Sequence, residues 1–84
     1  MFYVYILKCG DGSFYCGYTN DVKKRFEKHK SGSGAKYTRS RLPLEIVYIE
    51  EFETKSDALK RECEIKKMKR HKKEELVKSY SCKV

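Results

Sequence analysis

Four of the chain's seven tyrosines, Tyr3, Tyr5, Tyr15 and Tyr18, stand on two short apolar runs around Gly10-Asp11-Gly12. A phenol both donates and accepts a hydrogen bond, and its ordinary pKa is about 10. Further along, Arg25 and His29 are one helical turn apart, so a guanidinium and an imidazole would be neighbours. A carboxylate follows later. On a wheel of roughly 100° per residue, Glu62 falls inside the apolar arc of Ala58, Leu59, Ile65 and Met68, and Glu64 falls on the solvent side. A carboxylate on an inward face is costly unless it is paired, protonated or bound to a metal. Each group also has a plain reading. Tyrosines pack in cores with the hydroxyl at the rim, Arg25 and His29 can be surface residues beside the Val22/Phe26 stripe, and Glu62 can pair with a nearby Arg or reach water. Together, phenols, a guanidinium, an imidazole and a carboxylate could meet on one face of a sheet.

The elements that must hold them are legible in outline. Residues 2–8 and 13–19 are rich in aromatic and β-branched types and predict two antiparallel strands. Their register decides the chemistry. A two-residue loop, Asp11-Gly12, would set Tyr5 opposite Tyr18 and turn Tyr15 to the other face. A three-residue loop, Gly10-Asp11-Gly12, sets Tyr5 opposite Gly17 and Tyr15 opposite Leu7, on one side. A one-residue slip flips every side chain, and a three-residue loop with a left-handed Gly at its end is a common hairpin. The residues alone leave both registers open.

Residues 20–30 predict a helix capped by Thr19 or Asn20, with Val22, Phe26 and His29 on one face. Residues 31–43, with glycines, serines and Pro43, predict a basic loop. A third strand over 44–53, a helix over 56–70 with Ser56 as N-cap, and a short helix over 72–80 complete the chain. The expected fold is α+β: a three-stranded antiparallel sheet flanked by helices, in the order β-β-α-β-α-α, as a single domain over residues 1–84.

The chain has 84 residues and a net charge of +8. At this size only about 60–65% of the unfolded surface is buried, so the core is small. The charge is segregated. Residues 20–41 carry eight Lys/Arg against two Asp/Glu, residues 55–73 carry nine against three, and residues 44–53 carry four Glu and no base. Two positive segments fit a phosphate-backbone partner; the bland reading is a solvated basic surface. No apolar run approaches the roughly 20 residues of a membrane helix, and the N-terminus lacks the order of a signal peptide, so a cytoplasmic location and no membrane partner are expected. Cys9, Cys16, Cys63 and Cys82 show no C-x-x-C spacing, and His29 and His71 complete no zinc pattern. Free thiols are expected.

The constellation resembles the GIY-YIG nucleases, a family named for two motifs on one hairpin. Here they read Tyr3-Val4-Tyr5 and Tyr15-Cys16-Gly17. The first lacks its glycine, and Cys16 replaces the usual aliphatic residue. Tyr5, Tyr15 and Gly17 match. Arg25 follows Tyr15 by ten residues and His29 by fourteen, and Glu62 lies within R-E-C-E-I-K-K on a later helix. The stretch G-A-K-Y-T-R at 34–39 and the small size resemble the stand-alone bacterial group, related to the nuclease domains of a nucleotide-excision-repair subunit and of structure-specific endonucleases.

The resemblance implies metal-dependent hydrolysis of phosphodiesters in nucleic acid, DNA rather than RNA, in repair or recombination. It implies a catalytic set of Tyr5, Tyr15, Arg25, His29 and Glu62, with one Mg²⁺ or Mn²⁺ whose only protein ligand is Glu62. Arg25 would clamp a non-bridging oxygen. Tyr5 or Tyr15 would take the proton of the attacking water, and His29 would orient a tyrosine or relay the proton. With both tyrosines catalytic, the three-residue loop gives the expected register, and Gly17 would leave room beside the Tyr5 phenol for a phosphate or water. Lys23, Lys24, Lys36, Arg39 and Arg41 would follow the backbone, and Tyr37 would stack on a base or touch phosphate. Two other readings compete: a non-catalytic nucleic-acid-binding module, and an adaptor that binds a protein through the acidic 44–53 strand.

Overall fold

In a computed structural model that describes residues 1–32 and 40–81, strands β1 (Phe2–Cys9) and β2 (Phe14–Thr19) form the expected hairpin. Tyr5 pairs with Gly17 and Leu7 with Tyr15. The loop holds three residues: Gly12 N–H donates to Cys9 O and Cys9 N–H to Ser13 O. Gly12 has φ 86°, the left-handed region that a glycine occupies without steric cost. Asp11 ties the turn down by accepting from the Ser13 amide at 3.0 Å.

Strand β3 (Leu44–Phe52) pairs with the other side of β1, so the sheet order is β2-β1-β3 and β1 is central. The pairing shifts by one residue at Val47, between the Ile6–Tyr48 and Leu7–Ile46 pairs. Such a bulge lets β3 keep an apolar residue on each face beside two adjacent core positions. Val4, Ile6 and Leu7 are fully buried and Tyr5 nearly so. A β1 buried on both faces explains why its sequence reads as a continuous apolar run.

Helices lie on both faces. Helix α1 (Val22–Lys30) begins two residues later than expected because the cap is Asp21, whose carboxylate accepts from the Lys24 amide. Thr19 instead bonds Asp21 through its hydroxyl and fixes the entry to the helix. Helix α2 (Lys55–Lys66) is capped by Thr54, not Ser56, and α3 spans Arg70–Ser81. The expected helix over 56–70 is therefore divided. Residues 66–73 hold six Lys/Arg, and like charges three and four apart disfavour an unbroken helix. Arg70 also has other partners: its guanidinium donates to Gly12 O at 2.7 Å and lies 5.0 Å from the Phe14 ring centroid. Helices α2 and α3 cover the face made by Val4, Ile6, Cys16 and Tyr48, joined by Ala58, Ile65 and, at the rim, Leu76 and Tyr80. Burying a side chain such as Ile65 stabilises by about 1.5–3 kcal/mol. Helix α1 lies on the opposite face, over Tyr5. None of the described helices is long and apolar enough to cross a membrane.

Candidate functional site on the edge strand

Alternation along β1 and β2 puts Tyr5 and Tyr15 on the α1 face, and α1 delivers His29 to them. His29 is 1% exposed, so the surface reading of this residue is overturned; it is the buried member of the Val22/Phe26 face. Tyr5 Oη lies 3.0 Å from His29 Nε2. The Tyr15 ring is 5.3 Å from the imidazole and 6.5 Å from the Tyr5 ring, centroid to centroid. Burial, and then the charge of Arg25, hold the His29 pKa below its ordinary value of 6.5. Both effects favour the neutral imidazole, and in the tautomer that carries its proton on Nδ1 the Nε2 accepts the Tyr5 hydroxyl. Burial pushes the Tyr5 phenol well up; Tyr15, Cys16 and Glu62 add to the rise and Arg25 opposes it. Desolvation outweighs the nearby guanidinium of Arg25.

Gly17 serves a purpose different from the one expected. A Cβ there would collide with the Tyr5 hydroxyl and stand 2.6 Å from Tyr5 Cζ. The space beside the β2 backbone is filled by the phenol itself, not kept for a phosphate or water. Gly17 lets the ring cross the edge strand and reach His29.

Arg25 is exposed on α1, close enough to shift both Tyr5 and His29. With Thr19, Asn20, Asp21, Lys24 and Lys28 it lines a pocket of about 190 Å³. Lys23 does not join it; it borders a separate pocket with Tyr3, Val22 and Ile49. Arg41 stands elsewhere: its Nε lies 3.1 Å from Asp11 Oδ2, beside the hairpin turn. The expected contacts of Lys36, Tyr37 and Arg39 lie outside the described residues.

Glu62 reaches the cluster by another route. It projects from α2, which packs on the face opposite Tyr5, so the groups do not share one face of the sheet as expected. They meet across β2, an edge strand with no fourth strand among the described residues to wall it off. Glu62 acts on Tyr5 from one side and on the Cys16 thiol, pushed up to about 11 by burial and then by Glu62, from the other. The Glu62 side chain is 19% exposed, and Lys66 Nζ stands 3.8 Å from its Oε2. That pair is long and half in water, worth about 0.3–0.5 kcal/mol, and a cation of higher charge would displace it. No group of three or more His, Cys, Asp or Glu converges among the described residues. A single carboxylate on a hydrated edge fits a divalent cation that keeps most of its waters.

The wheel placed the buried arc of α2 slightly wrong. Ala58 and Ile65 are buried, but Leu59 is 39% exposed, and the buried arc turns away from Leu59 towards Arg61 on the Met68 flank. Arg61 Nε donates to Glu50 at 2.9 Å, the Tyr48 hydroxyl donates to the same carboxylate at 2.6 Å, and Arg61 also pairs with Glu64. Arg61 is thus held by Glu50 and Glu64, so the Arg that would have neutralised Glu62 is otherwise engaged. This cluster was missed because Glu50 and Arg61 sit on separate elements, with no short-range spacing to announce it.

Residues 1–75 match the GIY-YIG catalytic domain. The chain belongs to the GIY-YIG family. A UPF0213 protein of Staphylococcus saprophyticus is 57% identical over 75 residues, covering 89% of this chain and 92% of that one. A UPF0213 protein of Staphylococcus aureus is 59% identical over 76 residues, covering 90% and 93%. Two solution NMR structures share the GIY-YIG fold seen here. A UPF0213 protein from Bacillus halodurans is 53% identical with a TM-score of 0.61, over 93% of this chain and 84% of that one. A protein from E. faecalis is 45% identical with a TM-score of 0.64, over 95% and 85%.

Proposed function

We propose that this GIY-YIG domain is a divalent-metal-dependent nuclease that hydrolyses phosphodiester bonds, in DNA rather than RNA, in cytoplasmic repair or recombination. The observation that carries the reading is the convergence of Tyr5, Tyr15 and His29 with Arg25 on one side of β2 and Glu62 on the other.

Glu62 would hold the ion, and a bound Mg²⁺ or Mn²⁺ would supply stabilisation of negative charge on the phosphate and the leaving oxygen. The remaining work falls to the chain. The exposed Arg25 guanidinium holds a non-bridging oxygen through charge-assisted hydrogen bonds. Tyr5 is a poor base by itself, because burial keeps its proton on. Its hydrogen bond to neutral His29 offers a way round this. As water attacks phosphorus and the P–O bond to the leaving oxygen breaks, the water's proton passes to Tyr5 Oη while the phenol proton passes to His29 Nε2, so no free phenolate forms; the leaving oxygen takes its proton from solvent. Tyr15 packs against the imidazole and limits its motion. Lys24 and Lys28 beside Arg25 attract the backbone without reading bases.

A labelled panel of single-stranded, duplex, nicked, flapped and branched DNA, with RNA alongside, tests the reading. Cleavage that needs Mg²⁺ or Mn²⁺, stops with chelator, and falls at least about a hundredfold in Tyr5→Phe or His29→Gln is the expected result. Binding without cleavage of any substrate would overturn it in favour of a non-catalytic binding module.

A further inference from the structure

The sheet separates the protein's charges. The acidic strand β3 is one edge, with Glu45, Glu50 and Glu51 on it; the candidate site straddles the other edge, β2. The cations flanking β2 come from two places. Lys24 and Arg25 on α1 lie on the Tyr5 side. On the far side the α2–α3 turn brings a second group. Lys66 is beside Glu62. Lys66 and Lys73 both lie close enough to Cys16 of β2 to hold its thiol down against burial. Arg70 is locked to the hairpin by its bond to Gly12 O and its stack on Phe14, which fixes the turn along β2 rather than leaving it loose. Arg70 and Lys72 have Glu74 and Glu75 as partners. Lys69 and Lys73 have no carboxylate partner among the described residues.

We propose that the α2–α3 turn, through Lys69 and Lys73 with Lys66 and Arg70 beside them, is a second phosphate-binding arm. A nucleic-acid backbone then runs over the β2 edge, gripped by α1 on one side of Glu62 and by this turn on the other. The alternative for such a run is a solvated basic face with no partner. Three features favour the arm: Lys66, Arg70 and Lys73 border the edge strand of the site, the turn is pinned to that strand, and the acidic edge lies on the other side of the sheet. A field polarised in this way draws a polyanion to one edge. The long dimension of the protein is 30 Å; at about 3.4 Å per phosphate along a strand, the track holds at most about nine phosphates. The inference rests on the proposed function for its partner but not for its chemistry.

The test is binding, in chelator so that cleavage plays no part. Fluorescence anisotropy of a labelled single strand, longer than about nine nucleotides, gives log K against log salt. The Lys69→Ala/Lys73→Ala variant removes two contacts and is expected to flatten the slope by about 1.4, at about 0.7 per phosphate. A Lys60→Ala/Lys78→Ala variant removes the same net charge. Lys60 and Lys78 each lie about 140° round their helix from Ile65 and Lys73, and this variant is expected to keep the wild-type slope. Equal flattening in both variants, or in neither, overturns the arm. Loss of wild-type cleavage with the slope difference intact would overturn the nuclease reading alone and leave the arm standing.

Discussion

Gly17→Ala should disable the site and weaken the fold together, and the two effects are calculable from one contact. The added Cβ would stand 2.6 Å from Tyr5 Cζ and 3.1 Å from Cε1. Carbon atoms settle at about 3.5–4.0 Å, so the ring must move by about 1 Å. A move of that size breaks the 3.0 Å Tyr5–His29 bond. Loss of the buried Tyr5–His29 bond costs about 1–3 kcal/mol, and overpacking adds about 1–3 kcal/mol. These add to about 2–6 kcal/mol, from which the strand propensity of alanine removes about 0.5–1 kcal/mol. Urea unfolding of wild type, Gly17→Ala, Tyr5→Phe and the double variant measures it. Tyr5→Phe alone should cost about 1–2 kcal/mol. The double variant should cost less than the sum by about 1 kcal/mol or more, since both changes lose the same hydrogen bond. A Gly17→Ala loss under about 0.5 kcal/mol, or strict additivity, would refute the reasoning, because Tyr5 would not then depend on the space at Gly17.

Further expectations concern His29 and the thiols. His29 is held neutral in the fold, with its pKa below 6.5, so its contribution to stability is whole above the unfolded value and is lost as pH falls through 6.5 towards the lower folded value. The urea midpoint should therefore drop between about pH 7.5 and about pH 5, and the drop should shrink in His29→Gln; an equal drop in both would place the titration elsewhere. Cys63 is exposed, whereas Cys9 and Cys16 are buried and Cys16 is pushed up to about 11. In a Cys82→Ser background, iodoacetamide should therefore modify one thiol quickly under native conditions, and peptide mapping should find it at Cys63. Fast labelling of Cys16 would contradict its placement beneath α2.

The parts of this structure that were legible in sequence are those set by local rules. The hairpin register followed once Tyr5 and Tyr15 were read as a catalytic pair, because only one of the two loops puts them on one face. The inward tilt of Glu62 followed from helical period alone. Rules of that kind failed where a distant residue decides. The buried arc of α2 swings towards Arg61 because Glu50, on β3, captures the guanidinium. His29 is buried because Tyr5 waits for it across the hairpin. Gly17 is occupied by a ring that pairwise strand logic locates opposite but cannot orient. The meeting of two sheet faces at one edge was invisible for the same reason: period assigns each side chain to a face, while the site forms where β2 ends the sheet. Arg41 pairs with Asp11, thirty positions earlier, a partner that no short-range spacing reveals.

The most direct test of the central claim compares two adjacent isosteric variants. Glu62→Gln and Glu64→Gln remove one carboxylate each from the same helix, one beside the edge-strand cluster and one in solvent. Cleavage of DNA in Mg²⁺ should be abolished by the first and kept within about threefold by the second, with both proteins folded by circular dichroism. Equal activity in the two would contradict a metal-dependent site built on Glu62.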